Sequence, residues 1–303
     1  MKKFWLAAVS AVVVLGAVFG FAHSALAAPE ILTLTPTSVQ PDLLPGASQS
    51  GTFSVLDQGT NSFSVRIYSA PYSVKGEDYT PDFTPIPGSP NVANWIKPAI
   101  SQGLVNPGQT LTVGYSLSVP TGVQPGGYYG VVFANEQLPK NASGVVINEQ
   151  VGEIFYITVA GPVKSGGKLL QWSSAWLQKP PLQATLKLEN TGGLHYFSNI
   201  HVAVKDIFGS AKFTLNTDKA ILPQTIRNIP VSWTKAPAFG LFKVGGTATV
   251  LGKTVNLPTK YVLVMSSTAR MILLVILIVL VLLFIIRLVY RRRRHKQKKS
   301  LRK

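Results

Sequence analysis

The chain has 303 residues, 46% of them apolar, a formal net charge of +17, no cysteine and four histidines. The lack of cysteine excludes disulfide scaffolds, thiolate-held zinc or iron–sulfur sites and thiol nucleophiles, so packing alone must stabilise the fold. A positive balance of this size points to nucleic acid only if it lies on the folded part of the chain.

Residues 1–27 have the pattern of a secretory signal peptide: Lys2 and Lys3, an apolar run from Phe4 to Phe21, then small residues in Ala25-Leu26-Ala27. Cleavage after Ala27 is the expectation. An uncleaved anchor is the alternative, because the run is long for a signal, and both imply export.

From residue 28 period-two alternation dominates. Phe53 and Val55 flank Ser54, Phe63, Val65 and Ile67 alternate with serines and Arg66, and Leu111, Val113, Tyr115, Leu117 and Val119 alternate with small or polar residues. Each run presents one apolar and one polar face, as half-buried strands do. Pro45-Gly46, Pro107-Gly108 and Pro125-Gly126-Gly127 punctuate them as turns. Residues 72–100 break the pattern and read as a long loop with five prolines, the aromatics Tyr72, Tyr79, Phe83 and Trp95, and the acids Glu77, Asp78 and Asp82. A strong strand around Ile154 then gives way to the Gly- and Pro-containing stretch 160–167, where a domain boundary is placed.

Alternation resumes with Ala184, Leu186 and Leu188, and again with Ile200, Val202 and Val204, separated by Asn190-Thr191-Gly192-Gly193. The fold class predicted is all-β: two tandem immunoglobulin-like β-sandwich domains, residues 28–160 and 161–266, followed by a single C-terminal transmembrane helix, residues 267–290. Sixteen uninterrupted apolar residues, 271–286, extend to 20 with one break at Arg287. At 1.5 Å per residue these span about 30 Å, the thickness of a bilayer core. Ten Lys or Arg and no acid from Arg287 onward make residues 291–303 a basic cytoplasmic tail by the positive-inside rule, with the N-terminal domains outside the cell membrane. Binding of anionic lipid at the tail would follow from the same charges.

Thirteen of the seventeen charges thus lie in the signal, at Arg270 and in the tail, which leaves +4 between residues 29 and 269 and removes the case for nucleic acid. That remainder is split: residues 29–160 carry −5 and residues 161–269 carry +9.

The order signal, sandwich, sandwich, membrane helix, basic tail resembles the WxL-interacting proteins of Gram-positive surfaces. In the first domain the resemblance rests on Leu44-Pro45-Gly46 before a strand, Gln58-Gly59-Thr60-Asn61, Val105-Asn106-Pro107-Gly108 and the run Gly126-Gly127-Tyr128-Tyr129-Gly130. In the second it rests on Leu188-Glu189-Asn190-Thr191-Gly192-Gly193, Val204-Lys205-Asp206-Ile207-Phe208-Gly209 and Leu222-Pro223-Gln224-Thr225-Ile226-Arg227. It implies a peptidoglycan-binding first domain and a host-binding second one.

Catalysis has little to stand on. The ectodomain holds only His195 and His201, read as solvated surface histidines without a third ligand, and no Gly-x-Ser-x-Gly, phosphate-loop or His-Glu-x-x-His pattern occurs. No enzyme activity, cofactor or metal is therefore expected. The candidate ligand-binding residues are Tyr72, Glu77, Asp78, Tyr79, Asp82, Phe83 and Trp95, whose rings suit stacking on sugars and whose carboxylates suit their hydroxyls. The competing reading, in which these aromatics only pin the loop to the sandwich, carries more weight. Tyr128 and Tyr129 are expected on opposite faces of a strand, and Asn141-Ala142-Ser143 is taken as a polar turn. The function expected is a membrane-anchored cell-surface protein that binds cell-wall glycan or a surface protein partner. The alternative is a chaperone-like factor for assembly or secretion of surface or pilus proteins.

Overall fold

The computed structural model describes residues 32–59, 62–137 and 149–300, with side chains up to residue 288. The signal region, the Asn141 triplet and the charged side chains beyond Arg287 lie outside the described residues.

Alternating runs become strands wherever one face can be buried. One four-stranded sheet has the order β1 (Leu32–Thr35), β4 (Ser48–Asp57), β10 (Thr110–Ser118), β8 (Ile96–Pro98). The facing sheet runs β2 (Ser38–Val39), β12 (Gln150–Val159), β11 (Gly126–Gln137), β5 (Phe63–Pro71), β9 (Gln102–Val105), with β3 (Asp42–Leu43) also on β12. Phe53, Val65, Leu117, Val132, Phe155 and Ile157 meet between them in one core. The opening segment changes sheets: β1 lies antiparallel to β4, while β2 and β3 run parallel to β12.

A second pair of sheets repeats this plan. Three strands, β13 (Gly167–Ser173), β15 (Leu182–Asn190) and β18 (Thr225–Trp233), face five in the order β14 (Leu177–Gln178), β20 (Lys253–Met265), β19 (Phe239–Val250), β16 (Tyr196–Asp206), β17 (Ala211–Ile221). Leu182, Leu186, Ile200, Val202, Val244 and Val262 belong to a separate core. Burying each such side chain contributes about 1.5–3 kcal/mol, so each sandwich has its own hydrophobic support. The strand-free stretch after Val159 joins them. There Gly161 has φ +144 and a Cβ on it would stand 2.3 Å from the Pro125 ring, so no larger residue fits the crossing.

The segment 72–100 is not the continuous loop that its composition suggests. It folds into a short hairpin of β6 (Ser73–Lys75) and β7 (Thr80–Asp82), a 3-10 turn at Val92–Asn94, and β8. These pieces are three residues long each, with prolines at 81 and 98, too short to show a period. After β20 the chain passes directly into α1 (Ser267–Ser300), a 34-residue helix. Its stretch Ser267–Leu288 is long and apolar enough to cross a bilayer, and the helix continues unbroken into the basic tail.

Candidate functional site at the junction of the two sandwiches

The β6–β7 hairpin projects from the first sandwich and grips the second. Its tip holds Tyr79 at φ +60, a conformation a tyrosine adopts only when its surroundings fix it. The buried phenol sits against the turn between β17 and β18. Leu222 N–H donates to the Tyr79 hydroxyl at 2.9 Å, and the Thr225 hydroxyl donates to the Leu222 carbonyl at 2.8 Å. Thr225 has then used its proton, so the remaining bond between the two hydroxyls must run from Tyr79 to Thr225 Oγ1. A neutral phenol is required for that closed ring, and burial raises the Tyr79 pKa accordingly.

The turn it grips is itself strained. Gln224 follows Pro223 with φ +56, the position a glycine usually takes, and its side-chain amide donates to the carbonyls of Thr191 and Gly192 at 2.8 and 3.0 Å. Arg227 lies 4.2 Å above the Tyr79 ring while its guanidinium donates to the Ala220 carbonyl. Glu77 adds two links: its carbonyl accepts from Asn228 N–H at 2.7 Å, and its carboxylate pairs with Lys187.

Beside the hairpin, rings from both sandwiches form a shared cluster. Tyr129 and Tyr156 project from the outer face of the first sandwich onto His195 and Phe197 at the start of β16, with centroids 5.2–5.9 Å apart and mostly edge-on. Such pairs add about 0.5–1.5 kcal/mol each beyond the area they bury. The Tyr129 hydroxyl and His195 Nδ1 are 3.3 Å apart. Burial lowers the His195 pKa to about 4, so the ring is neutral at physiological pH. His195 is therefore an interface residue and not the solvated surface histidine expected for want of a third ligand. His201 does lie exposed, bonded to Asn216.

The candidate ligand residues separate into three groups. Tyr72, Glu77 and Tyr79 belong to the junction, where Tyr72 lies edge-on to Tyr156 and tilted against Phe83. Trp95 is only 4% exposed and packs on Tyr128 within the first core, facing away from Tyr129. Asp78, Asp82 and Phe83 stay on the outside of the hairpin: Asp78 accepts from Thr80, Asp82 pairs with Lys75 at 2.9 Å, and Phe83 lies edge-on to Phe133. The Lys75 ammonium, with help from Thr84, holds the Asp82 carboxyl below the usual range. Sequence reasoning missed the other half of the junction, Leu222, Gln224, Arg227, His195 and Phe197. The segment Leu222 to Arg227 entered the sequence reading only through the resemblance, which names no contact partner.

Two depressions flank the junction. One, of about 420 Å³, is lined by Tyr72, Tyr128, Tyr129, Pro85, Asn91 and Leu222 among others, and no residue lining it carries a charge. The other, of about 530 Å³, lies between Ser38 on β2 and Asp218 and Lys219 on β17, with Tyr156, Phe197 and Arg227 completing it. β2 and β17 each end a sheet, so strand edges stand on both sides of this groove. Among the described residues β17 pairs with β16 alone, leaving an edge of 11 residues. No group of three or more His, Asp or Glu that could hold a metal occurs among the described residues.

No protein-family model and no curated protein matches the chain. Solved structures similar to it include the CsuC–CsuE chaperone–tip adhesion subunit pre-assembly complex of Acinetobacter baumannii, 13% identical over 78% of this chain and 98% of that one, with a TM-score of 0.38. The E. coli chaperone DraB is 15% identical over 77% and 98%, with a TM-score of 0.37. The Pseudomonas aeruginosa CupB2 chaperone is 11% identical over 76% and 98%, with a TM-score of 0.36.

Proposed function

We propose that the chain is a membrane-anchored, non-catalytic binding protein that holds an extended segment of a surface or secreted protein, as a chaperone-like factor in surface-protein assembly. The observation that carries this reading is the open 11-residue edge of β17 leading into a groove walled by a second strand edge. An unpaired edge offers main-chain donors and acceptors to any extended polypeptide, and the adjoining pockets take its alternate side chains. Lys219, Asp218 and Arg227 at the end of the edge suit a segment with polar or charged residues there. In this reading residues 28–160 and 161–266 are tandem immunoglobulin-like domains outside the cell, α1 is the anchor and the tail is cytoplasmic.

One observation favours a second reading. The uncharged depression combines three tyrosines with serine, threonine and asparagine side chains, a lining suited to a neutral glycan and to the wall binding that the resemblance to WxL-interacting proteins implies.

Photo-cross-linking in intact cells separates the two. A photoreactive residue at Asn216, on the exposed side of β17, should give an adduct with a polypeptide, and one at Ser89, in the uncharged depression, should not. Adducts only from Ser89, together with sedimentation of the full chain with insoluble peptidoglycan, would replace the first reading with the second.

A further inference from the structure

The end of the second sandwich that gives rise to α1 carries exposed apolar side chains that its fold does not use. Trp176 is 70% exposed, Phe208 90% and Phe239 56%. The strand register places them together. Phe239 pairs with Met265, the last residue of β20, and Leu263 N–H donates to the Trp176 carbonyl at 2.7 Å. Asp206 pairs with Phe242, so the turn that carries Ile207 and Phe208 reaches the same level. All lie within a few residue steps of the start of the helix, about 3.3 Å each.

Charge follows the same division. Of the second sandwich's acids, Glu189 pairs with Ile226 and Asp218 with Asn199, which places both toward the junction with the first sandwich. At the helix end Asp206 is bound to Lys212 at 3.1 Å, and Lys179, Lys205 and Lys235 lie exposed around the aromatic tips. Aromatic tips ringed by lysines match the chemistry of a bilayer interface with anionic headgroups.

The connection keeps this end of the sandwich close to the start of the helix. Ser266 N–H donates to the Ala238 carbonyl at 2.7 Å, Ala269 N–H donates to Ser266 Oγ at 3.1 Å, and the Arg270 guanidinium returns to the Met265 carbonyl at 3.3 Å. The helix is thus capped on the sandwich itself, with no free linker. From Ser266 to Met271, where the uninterrupted apolar run begins, the rise is about 7.5 Å, comparable to a headgroup layer of about 5–8 Å.

We infer that the helix-proximal end of the second sandwich docks on the outer leaflet, with Trp176, Phe208 and Phe239 set into the headgroup region of an anionic membrane and Lys179 and Lys235 on its lipid phosphates. This rests on the reading of α1 as the anchor. Docking fixes the angle of the ectodomain to the membrane and so directs the open β17 edge.

The test uses the full chain in nanodiscs of phosphatidylcholine with phosphatidylglycerol, in which the acyl chains are brominated near the headgroup. Trp176 emission should be quenched by the brominated lipid and shielded from acrylamide, and W176F should lose that quenched component. In the W176F background, F208W should restore it, and replacing Lys179 and Lys235 with Gln should weaken the preference for anionic over zwitterionic discs. Failure of the chain to enter the disc would bring down the anchor and the docking together. Incorporation with Trp176 open to acrylamide and untouched by bromine would overturn the docking alone.

Discussion

The two sandwiches share a plan and differ in what they do with their surfaces. The first is acidic and carries an inserted hairpin that reaches across to its neighbour; the second is basic, has no comparable insertion, and keeps a strand of 11 residues open at its edge. Considered alone, an insertion as proline-rich as residues 72–100 offers two readings, a ligand loop and, with more weight, a segment whose aromatics pin it to its own sandwich. Beside the second sandwich it is chiefly a clasp: Glu77 and Tyr79 are occupied by Asn228, Lys187, Leu222 and Thr225. The difference teaches that the unusual segment of one sandwich can serve to orient the unoccupied edge of the other.

Breaking the clasp is the severest test of that comparison. Tyr79→Ala removes a buried ring, the hydroxyl bridge between Leu222 and Thr225, and the surface under Arg227. By analogy with large-to-small core substitutions the loss should be about 3–5 kcal/mol, concentrated at the junction because neither main core includes Tyr79. Pulsed spin-label distances between the sandwiches should broaden, while each sandwich keeps its own unfolding transition. Tyr79→Phe, which keeps the ring, should cost about 1–3 kcal/mol. A distance distribution unchanged by Tyr79→Ala would mean that the ring cluster alone sets the angle.

The next two effects depend on pH and have opposite signs. Glu153 shares the inward face of β12 with Phe155 and Ile157, and neither carboxylate oxygen finds a partner among the described residues. Burial raises its pKa to about 7. Its folded-state pKa exceeds its unfolded one, so the folded first sandwich binds more protons and loses stability as pH rises from about 4.5 to 7. Glu153→Gln should therefore stabilise it by about 1–3 kcal/mol at pH 8 and do little near pH 4, as thermal unfolding at the two pH values would show. His195 behaves oppositely. Its pKa is lowered by burial, so the junction is fully stable above the unfolded value and weakens as pH falls from about 6.5 to 4. The Tyr129 hydroxyl can still accept a hydrogen bond from a protonated ring, so the cost is desolvation of the charge, about 1–2 kcal/mol after screening. Distances between the sandwiches should broaden over that interval, and His195→Phe should flatten the response.

The sandwiches were legible because their strands are long enough to show a period. Val113, Tyr115 and Leu117 are buried and their neighbours are not, as alternation requires. The long apolar helix was legible because a uniform apolar run needs no partner to be recognised. The junction was not, since it is made by residues far apart in the chain: Tyr79 finds Leu222, 143 positions on, and Tyr129 finds His195, 66 positions on. Composition marks Tyr79 and Trp95 as equals, yet the first closes the junction and the second fills a core. Which of the two a tyrosine or tryptophan does depends on strand register, and in residues 72–100 the strands are too short for register to be read.

The finest distinction concerns the two ion pairs of the hairpin. Glu77–Lys187 crosses the junction, whereas Lys75–Asp82 closes the hairpin on itself. Each has one partner well open to solvent and one partly covered, and such surface pairs are worth about 0–1 kcal/mol. Lys187→Ala should then shift unfolding by no more than a few tenths of a kcal/mol at physiological salt, because the Glu77 main-chain carbonyl keeps its bond to Asn228. Lys75→Ala should act as weakly, but by a different route, loosening the hairpin before it meets its partner. Spin-label distances measured at low and high salt tell them apart. If the clasp depends on main-chain bonds and Tyr79, neither variant broadens the distribution at high salt. If Lys187→Ala broadens it as much as Tyr79→Phe does, charge and not the phenol ring holds the acidic sandwich to the basic one.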